Sequence, residues 1–122
     1  MIYTSYFARI SKIKEKYPDY KIVSISHSRP KWVDSNIVED WGILGPTSDL
    51  LSRYRKGLVS EKEYTEEYLE YISSIWDNVK DRFRTDSNIV MLCYEANGKF
   101  CHRHVLSMYL NSREVDCKEL EF

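Results

Sequence analysis

The densest group of reactive side chains lies in residues 92–104, whose sequence is LCYEANGKFCHRH. The pattern predicts a helix that begins at Cys101, and the first turn of a helix carries unpaired N–H groups and about half a positive charge. Arg103 adds a further positive charge at the same place. Because this combination suits a phosphate or a carboxylate, the segment predicts a site for a small anion.

The same segment also supports a nucleophilic site. The positive field at the start of a helix would favour the thiolate of Cys101, and His102 or His104 could act as its base. Glu95 could be a general base or could cap the helix, whereas Cys93 lies in an apolar strand and is predicted to be a core residue. Ligand capture and catalysis through Cys101, Glu95 and His102 therefore both stay open.

A metal site is not predicted, although cysteine and histidine are the side chains that zinc prefers. The four candidates lack the CxxC or HxxxH spacing of zinc sites, and adjacent residues on a helix point in different directions. Three cysteines are an odd number in a chain without an export signal, so no disulfide framework is predicted. No cofactor is predicted either. The candidate ligands are Cys93, Cys101, His102 and His104.

These residues belong to an alternating series of strands and helices, recognised by the spacing of apolar residues. The predicted strands are residues 2–4, 21–26, 88–94 and an edge strand within 115–122. The predicted helices are residues 7–17, 47–57, 60–83 and a last one from 101 onward. Residues 27–43 show no periodicity and are predicted to form a long loop. The order predicts one α/β domain over residues 1–122, with a short, mostly parallel sheet and helices on both faces.

A parallel sheet binds its ligand outside the carboxyl ends of its strands, which predicts where the site lies. Polar and aromatic residues follow each of the first three predicted strands. Arg29 is a candidate second cation, and Tyr64 and Tyr68 of the long helix could line a pocket, whereas Arg53, Arg55 and Lys56 are predicted to be a solvated helix face. The predicted ligand-binding residues are Ser5, Tyr6, Ser26, Arg29, Tyr94 and Arg103.

The overall composition excludes several classes of function. Eighteen basic and nineteen acidic residues leave a net charge of −1, which supplies no global field for a nucleic-acid backbone. No apolar run approaches the ~20 residues that span a bilayer. The first ten residues lack the pattern of a secretory signal. We therefore expect a cytoplasmic protein without a membrane partner and without a strong nucleic-acid partner.

Several segments carry a resemblance to a known family: IYTSYFA at 2–8, SIS at 24–26, LGP at 44–46, LCYE at 92–95 and FCHRH at 100–104. With these segments the chain resembles the small, often phage- or prophage-borne members of the domain of unknown function 488 family. The resemblance implies a compact α/β domain, no established activity and, for a phage-encoded member, the host cytoplasm. Its signature positions correspond to Cys93, Glu95, Cys101, His102 and Arg103.

The leading functional prediction is the binding of a small anionic, nucleotide-derived ligand. Arg103 and the helix amides would hold its charge with help from Arg29, Tyr6 and Tyr94 would form the walls, and Glu95 would orient a hydroxyl or an amine. A phage-type protein of this kind could sequester a signal nucleotide, although that step is an analogy.

Two other classes of function remain open. The same pocket could belong to a hydrolase or a transferase that acts on the ligand through Cys101 or Glu95. Alternatively, the chain could be a protein–protein adaptor with Trp32 and Trp41 as exposed anchors. Homo-oligomer formation is left open.

Overall fold

The computed structural model describes residues 1–84, 87–95 and 100–121. Over these residues, five strands form one parallel sheet in the order β3-β2-β4-β1-β5. The strands are β1 (Ile2–Tyr6), β2 (Lys21–Ser24), β3 (Val38–Asp40), β4 (Ile89–Cys93) and β5 (Cys117–Glu119). The helices are α1 (Ile10–Lys16), α2 (Ser48–Arg55), α3 (Glu61–Val79) and α4 (His102–Ser112). Short 3-10 turns cover Phe7–Arg9, Gly42–Leu44 and Lys80–Arg82. The α/β prediction is confirmed.

Strand β4 is the centre of the sheet and is paired with β1 on one side and β2 on the other. All five of its residues are buried, which explains its nearly continuous apolar sequence. Successive side chains of β4 enter two separate cores because a strand alternates its faces. Val90 and Leu92 pack with Ile13 of α1, whereas Met91 packs with residues of α3 and α4. Helices therefore cover both faces.

The starts of α2 and α3 are fixed by side-chain caps that the sequence predicts. Ser60 Oγ accepts a hydrogen bond of 3.1 Å from the Glu63 N–H, and the Glu63 carboxylate accepts one of 3.0 Å from the Ser60 N–H. These bonds hold the pKa of Glu63 below its usual value. Thr47 Oγ1 accepts from the Leu50 N–H at 3.1 Å at the start of α2. The predicted capping box and the predicted α2 cap are confirmed.

The prediction of one long loop over residues 27–43 is wrong, because the segment contains β3. Ile22 of β2 pairs with Val38, and Ser24 pairs with Asp40. This edge strand has three residues, of which Val38 alone is buried, so it is too short to show a hydrophobic alternation. The predicted turn at 96–99 lies outside the described residues, as does Phe122. Within the described chain, no helix is long and apolar enough to cross a membrane.

Candidate functional site

A cavity of about 150 Å³ opens at the carboxyl ends of β2 and β4. Its walls come from the segments that follow these two strands, from α2 and from the starts of α3 and α4. This is the edge at which ligands bind in open parallel sheets. The lining residues are Ser26, His27, Ser28, Pro46, Leu51, Tyr54, Arg55, Tyr64, Tyr94, Glu95, Phe100, Cys101 and His102.

One wall of the cavity consists of three mutually packed aromatic rings. The ring of Tyr54 lies 5.0 Å from that of Tyr64 and 5.6 Å from that of Phe100, measured between centroids. Tyr64 and Phe100 are 5.2 Å apart in an edge-to-face arrangement. Each ring is therefore held by two others, which gives the cavity a rigid apolar wall. Tyr64 was predicted as a residue that could line a pocket, whereas Tyr54 and Phe100 were not.

The floor of the cavity contains a polar group without a partner. Ser26 is 4% exposed, and within residues 1–84, 87–95 and 100–121 its hydroxyl is the buried side-chain polar group that makes no hydrogen bond. The backbone of the preceding residue lies close to Gly45, because a Cβ on Gly45 would be 2.9 Å from the Ile25 carbonyl oxygen. Buried polar groups are nearly always paired in folded proteins, so this hydroxyl suits a ligand.

Two opposite charges stand at the wall of the cavity. Arg55 comes from the last turn of α2, and Glu95 follows β4 by two residues. Both act on the Tyr64 hydroxyl: burial raises its pKa most, Glu95 raises it further and Arg55 lowers it. Arg55 is exposed, as predicted for a solvated helix face, but its place beside the cavity was not predicted. Its spacing of four from Leu51, which also lines the cavity, was the available signal.

His102 is held in one tautomer at the start of α4. Its Nε2 lies 2.6 Å from the Ile25 carbonyl oxygen, and a carbonyl can only accept, so Nε2 carries the proton. Burial lowers the pKa of His102 to about 4. The ring is therefore neutral near pH 7, with an unprotonated Nδ1 that lies 3.8 Å from Cys101 Sγ.

Cys93 and Cys101 are joined by a disulfide bond, which sequence analysis did not predict. The odd number of cysteines was misleading, because two pair across the ends of β4 and α4 and Cys117 of β5 stays free and buried. Ligand atoms of Cys93, Glu95 and Cys101 also lie within 4.8 Å of one another. If the bond were reduced, these three residues could hold a metal ion, or the two cysteines could act as thiols.

Arg103 lies behind the cavity and makes only internal contacts that fix its place. It is 0% exposed, and each of its three nitrogen atoms donates to a protein acceptor. Nε and Nη2 each donate to Glu119 of β5 at 3.0 Å, and Nη1 donates to Cys93 Sγ at 3.0 Å and to the Glu95 carbonyl. Thr4 also donates to Glu119, at 2.6 Å. The structure therefore places Arg103 in a buried network and not on the cavity wall where we expected it.

Three other expected ligand-binding residues lie away from the cavity. Ser5 is buried in β1, the Tyr6 hydroxyl accepts from Arg9 Nε at 2.7 Å, and Arg29 Nη1 donates to the Val38 carbonyl at 3.3 Å. The physical reason for the first two is the strand order, because β4 separates β1 from β2. Five expected site residues do meet at the cavity: Ser26, Tyr94, Glu95, Cys101 and His102.

Comparison with known proteins identifies the family. A family model described as the active DUF488-N3 subclade matches residues 5–114, which include every residue that lines the cavity. No curated protein and no solved structure matches the chain. Since the match covers most of the sequence, the chain belongs to the domain of unknown function 488 family.

Proposed function

We propose that the cavity binds a small, nucleotide-derived anionic ligand. The observation that carries this proposal is the buried hydroxyl of Ser26, which is unpaired within the described part of the chain and lies in a cavity with an aromatic wall. An unpaired buried hydroxyl costs about 1–3 kcal/mol. A ligand atom that hydrogen-bonds to Ser26 would recover this free energy.

The size and chemistry of the cavity favour a flat ring. A dry cavity of about 150 Å³ in another protein accepts benzene, so the volume here suits one ring of a ligand. A nucleobase against Tyr54, Tyr64 and Phe100 would gain about 1–3 kcal/mol from stacking. The remainder of the ligand would extend through the open mouth.

The charges at the mouth favour an anion beside a hydrogen-bond donor. Arg55 can pair with a phosphate, the role that we expected of Arg103. Glu95 can accept a hydrogen bond from a sugar hydroxyl or a base amine. Capture of a signal nucleotide by a phage-borne protein in a host cytoplasm would be one use of such a site, and it remains an analogy.

A thermal-shift screen tests the proposal directly. The probes are nucleoside monophosphates, cyclic and linear dinucleotides, sugar phosphates and inorganic oxyanions, each with wild type, Arg55→Ala and Lys56→Ala. Lys56→Ala is the matched control. It removes a positive charge next to Arg55, but Lys56 does not line the cavity. We expect a nucleotide to raise the Tm of wild type and Lys56→Ala but not of Arg55→Ala. No shift with any probe would overturn the proposal.

One contact supports the alternative of an enzyme that acts on the same ligand. In the reduced protein, His102 Nδ1 would face the Cys101 thiol, as a base faces a nucleophile. Product formation by the reduced wild type, together with a Cys101→Ser variant that binds the ligand but forms no product, would favour a hydrolase or transferase. Product formation by that variant would assign any activity to Glu95 or elsewhere.

The adaptor alternative has less support. Trp32 is 65% exposed as expected, but Trp41 is 7% exposed, and its indole N–H donates to Glu39. The expectation that both tryptophans form exposed anchors is therefore wrong for Trp41.

A further inference from the structure

We infer that Cys93 and Cys101 form a reversible redox centre. In this centre Cys101 attacks an external disulfide, and Cys93 then attacks the resulting mixed disulfide on Cys101. The inference is independent of the proposed ligand, because it depends on the neighbours of the two sulfur atoms. Both cysteines are buried, but Cys101 lines the cavity and Cys93 does not. An external disulfide whose sulfur atoms approach the cavity would therefore meet Cys101 before Cys93.

Arg103 would stabilise Cys93 after reduction of the bond. Its Nη1 lies 3.0 Å from Cys93 Sγ inside the protein, and a buried cation beside a sulfur favours the thiolate. Stabilisation of the reduced form makes a disulfide easier to reduce, as in strongly oxidising thiol enzymes.

His102 gives Cys101 a different environment. Because Nε2 donates to Ile25, the unprotonated Nδ1 is the ring atom that faces Cys101 Sγ. It can accept the proton of the Cys101 thiol and pass it to a leaving group. The two sulfurs thus have separate partners, a cation for Cys93 and a proton acceptor for Cys101.

Cys117 shows what a cysteine without such neighbours looks like. It lies in β5, is 3% exposed, and burial raises the pKa of its thiol to about 11. Cys117 Sγ is a free thiol in the structure. It therefore serves as an internal control for the pair.

The reaction with a disulfide such as oxidised glutathione balances in two steps. Cys101 Sγ attacks one sulfur, the bond between the two glutathione sulfurs breaks, and the first glutathione leaves with the proton from Cys101. The Cys93 thiolate then attacks Cys101 Sγ and displaces the second glutathione, which takes a proton from solvent. The protein is oxidised by two electrons to the Cys93–Cys101 disulfide, and the glutathione disulfide is reduced to two thiols.

The test is equilibration of the native protein, without nucleotide, in mixtures of reduced and oxidised glutathione, followed by alkylation and mass spectrometry. We expect wild type and Cys117→Ala to lose two alkylatable thiols reversibly. The Cys93→Ser variant should accumulate one glutathione on Cys101, whereas Cys101→Ser should not accumulate one on Cys93.

Three results would overturn the inference. The first is a reduced protein whose thiols do not respond to oxidised glutathione. The second is a disulfide that is reduced only after unfolding, which would make it structural. The third is stoichiometric zinc on Cys93 and Cys101 that blocks their oxidation. Thiol counts and nucleotide-induced Tm shifts are separate readouts, so failure of this centre is distinguishable from failure of the ligand proposal.

Discussion

Two polar clusters lie at the carboxyl edge of the sheet, and they differ in how completely their groups are paired. Beyond β1 and β5, Arg103 is buried and donates to Glu119, Cys93 and Glu95. Beyond β2, the cavity contains a buried Ser26 hydroxyl that makes no hydrogen bond to any residue the structure describes. A saturated network specifies structure, whereas an unsaturated group in a cavity is available to a ligand. Arg103, the most conspicuous arginine, therefore belongs to the buried network, and Arg55 is the arginine that we propose for ligand binding.

The largest expected effect is the loss of the buried ion pair. Arg103→Ala leaves Glu119 without its cation, and we expect a loss of about 3 kcal/mol in the free energy of unfolding, the lower end for a buried pair because Glu119 is 21% exposed. Urea unfolding measures this loss. The matched control is Arg55→Ala, for which we expect a change within about 0.5 kcal/mol. Equal stability of Arg103→Ala and wild type would remove the distinction between the two clusters.

The next effect is a pH dependence that comes from His102. Its pKa falls from 6.5 to about 4 on folding, chiefly by burial, so the unfolded state binds more protons between these values. Stability is therefore complete above about pH 6.5 and falls as the pH is lowered towards 4, by up to about 3 kcal/mol. Urea unfolding at several pH values should show a weaker dependence in His102→Gln than in the exposed control His27→Gln. An identical pH dependence in both would contradict the assignment.

The aromatic wall should contribute to the affinity for a nucleotide but not to the affinity for inorganic phosphate. Phe100→Leu keeps an apolar side chain but removes a ring, so we expect about a tenfold loss of nucleotide affinity, within the range of one stacking contact. Calorimetric titration with the nucleotide that gives the largest thermal shift measures it. Inorganic phosphate affinity should not change, since phosphate has no ring. A loss for both ligands would indicate a general disturbance of the cavity.

The smallest effect is expected at Ser26, and its sign is diagnostic. Ser26→Ala removes a buried hydroxyl that has no partner among the described residues, so the free protein should become more stable by about 1 kcal/mol while nucleotide affinity falls. Ser24→Ala is a suitable comparison because the Ser24 hydroxyl is paired. Its Oγ accepts a hydrogen bond of 3.4 Å from the Ser26 N–H. If Ser26→Ala instead destabilises the free protein, the hydroxyl is paired, and the main observation behind the proposed ligand site is removed.

Much of the fold follows from local rules that act within a few residues. The capping box at Ser60 and the apolar run of β4 were predictable, because each depends on side chains near in sequence. Strand β3 was not, since three residues with one buried side chain leave no periodicity. The paired strands, which are long-range contacts, place β4 between β1 and β2 and so exclude Ser5 and Tyr6 from the cavity.

The edge of the sheet at which the cavity lies was predictable, but which residues line the cavity and which are buried behind it was not. Residues near the ends of β2 and β4, such as Ser26 and Glu95, meet as the rule for parallel sheets predicts. Arg103 could not be assigned from the sequence because its partner Glu119 lies on β5, which pairs with the far side of β1. The Cys93–Cys101 bond likewise depends on the approach of α4 to β4.

The most direct measurement is amide chemical-shift mapping of the isotope-labelled protein during titration with nucleoside monophosphates. We predict that the perturbed resonances cluster at Ser26, Arg55, Glu95 and His102, which line the cavity. Resonances of Thr4 and Glu119, which belong to the saturated network, should move little. Perturbations centred on Thr4 and Glu119, or none with any nucleotide, would contradict the assignment of binding to the unsaturated cluster.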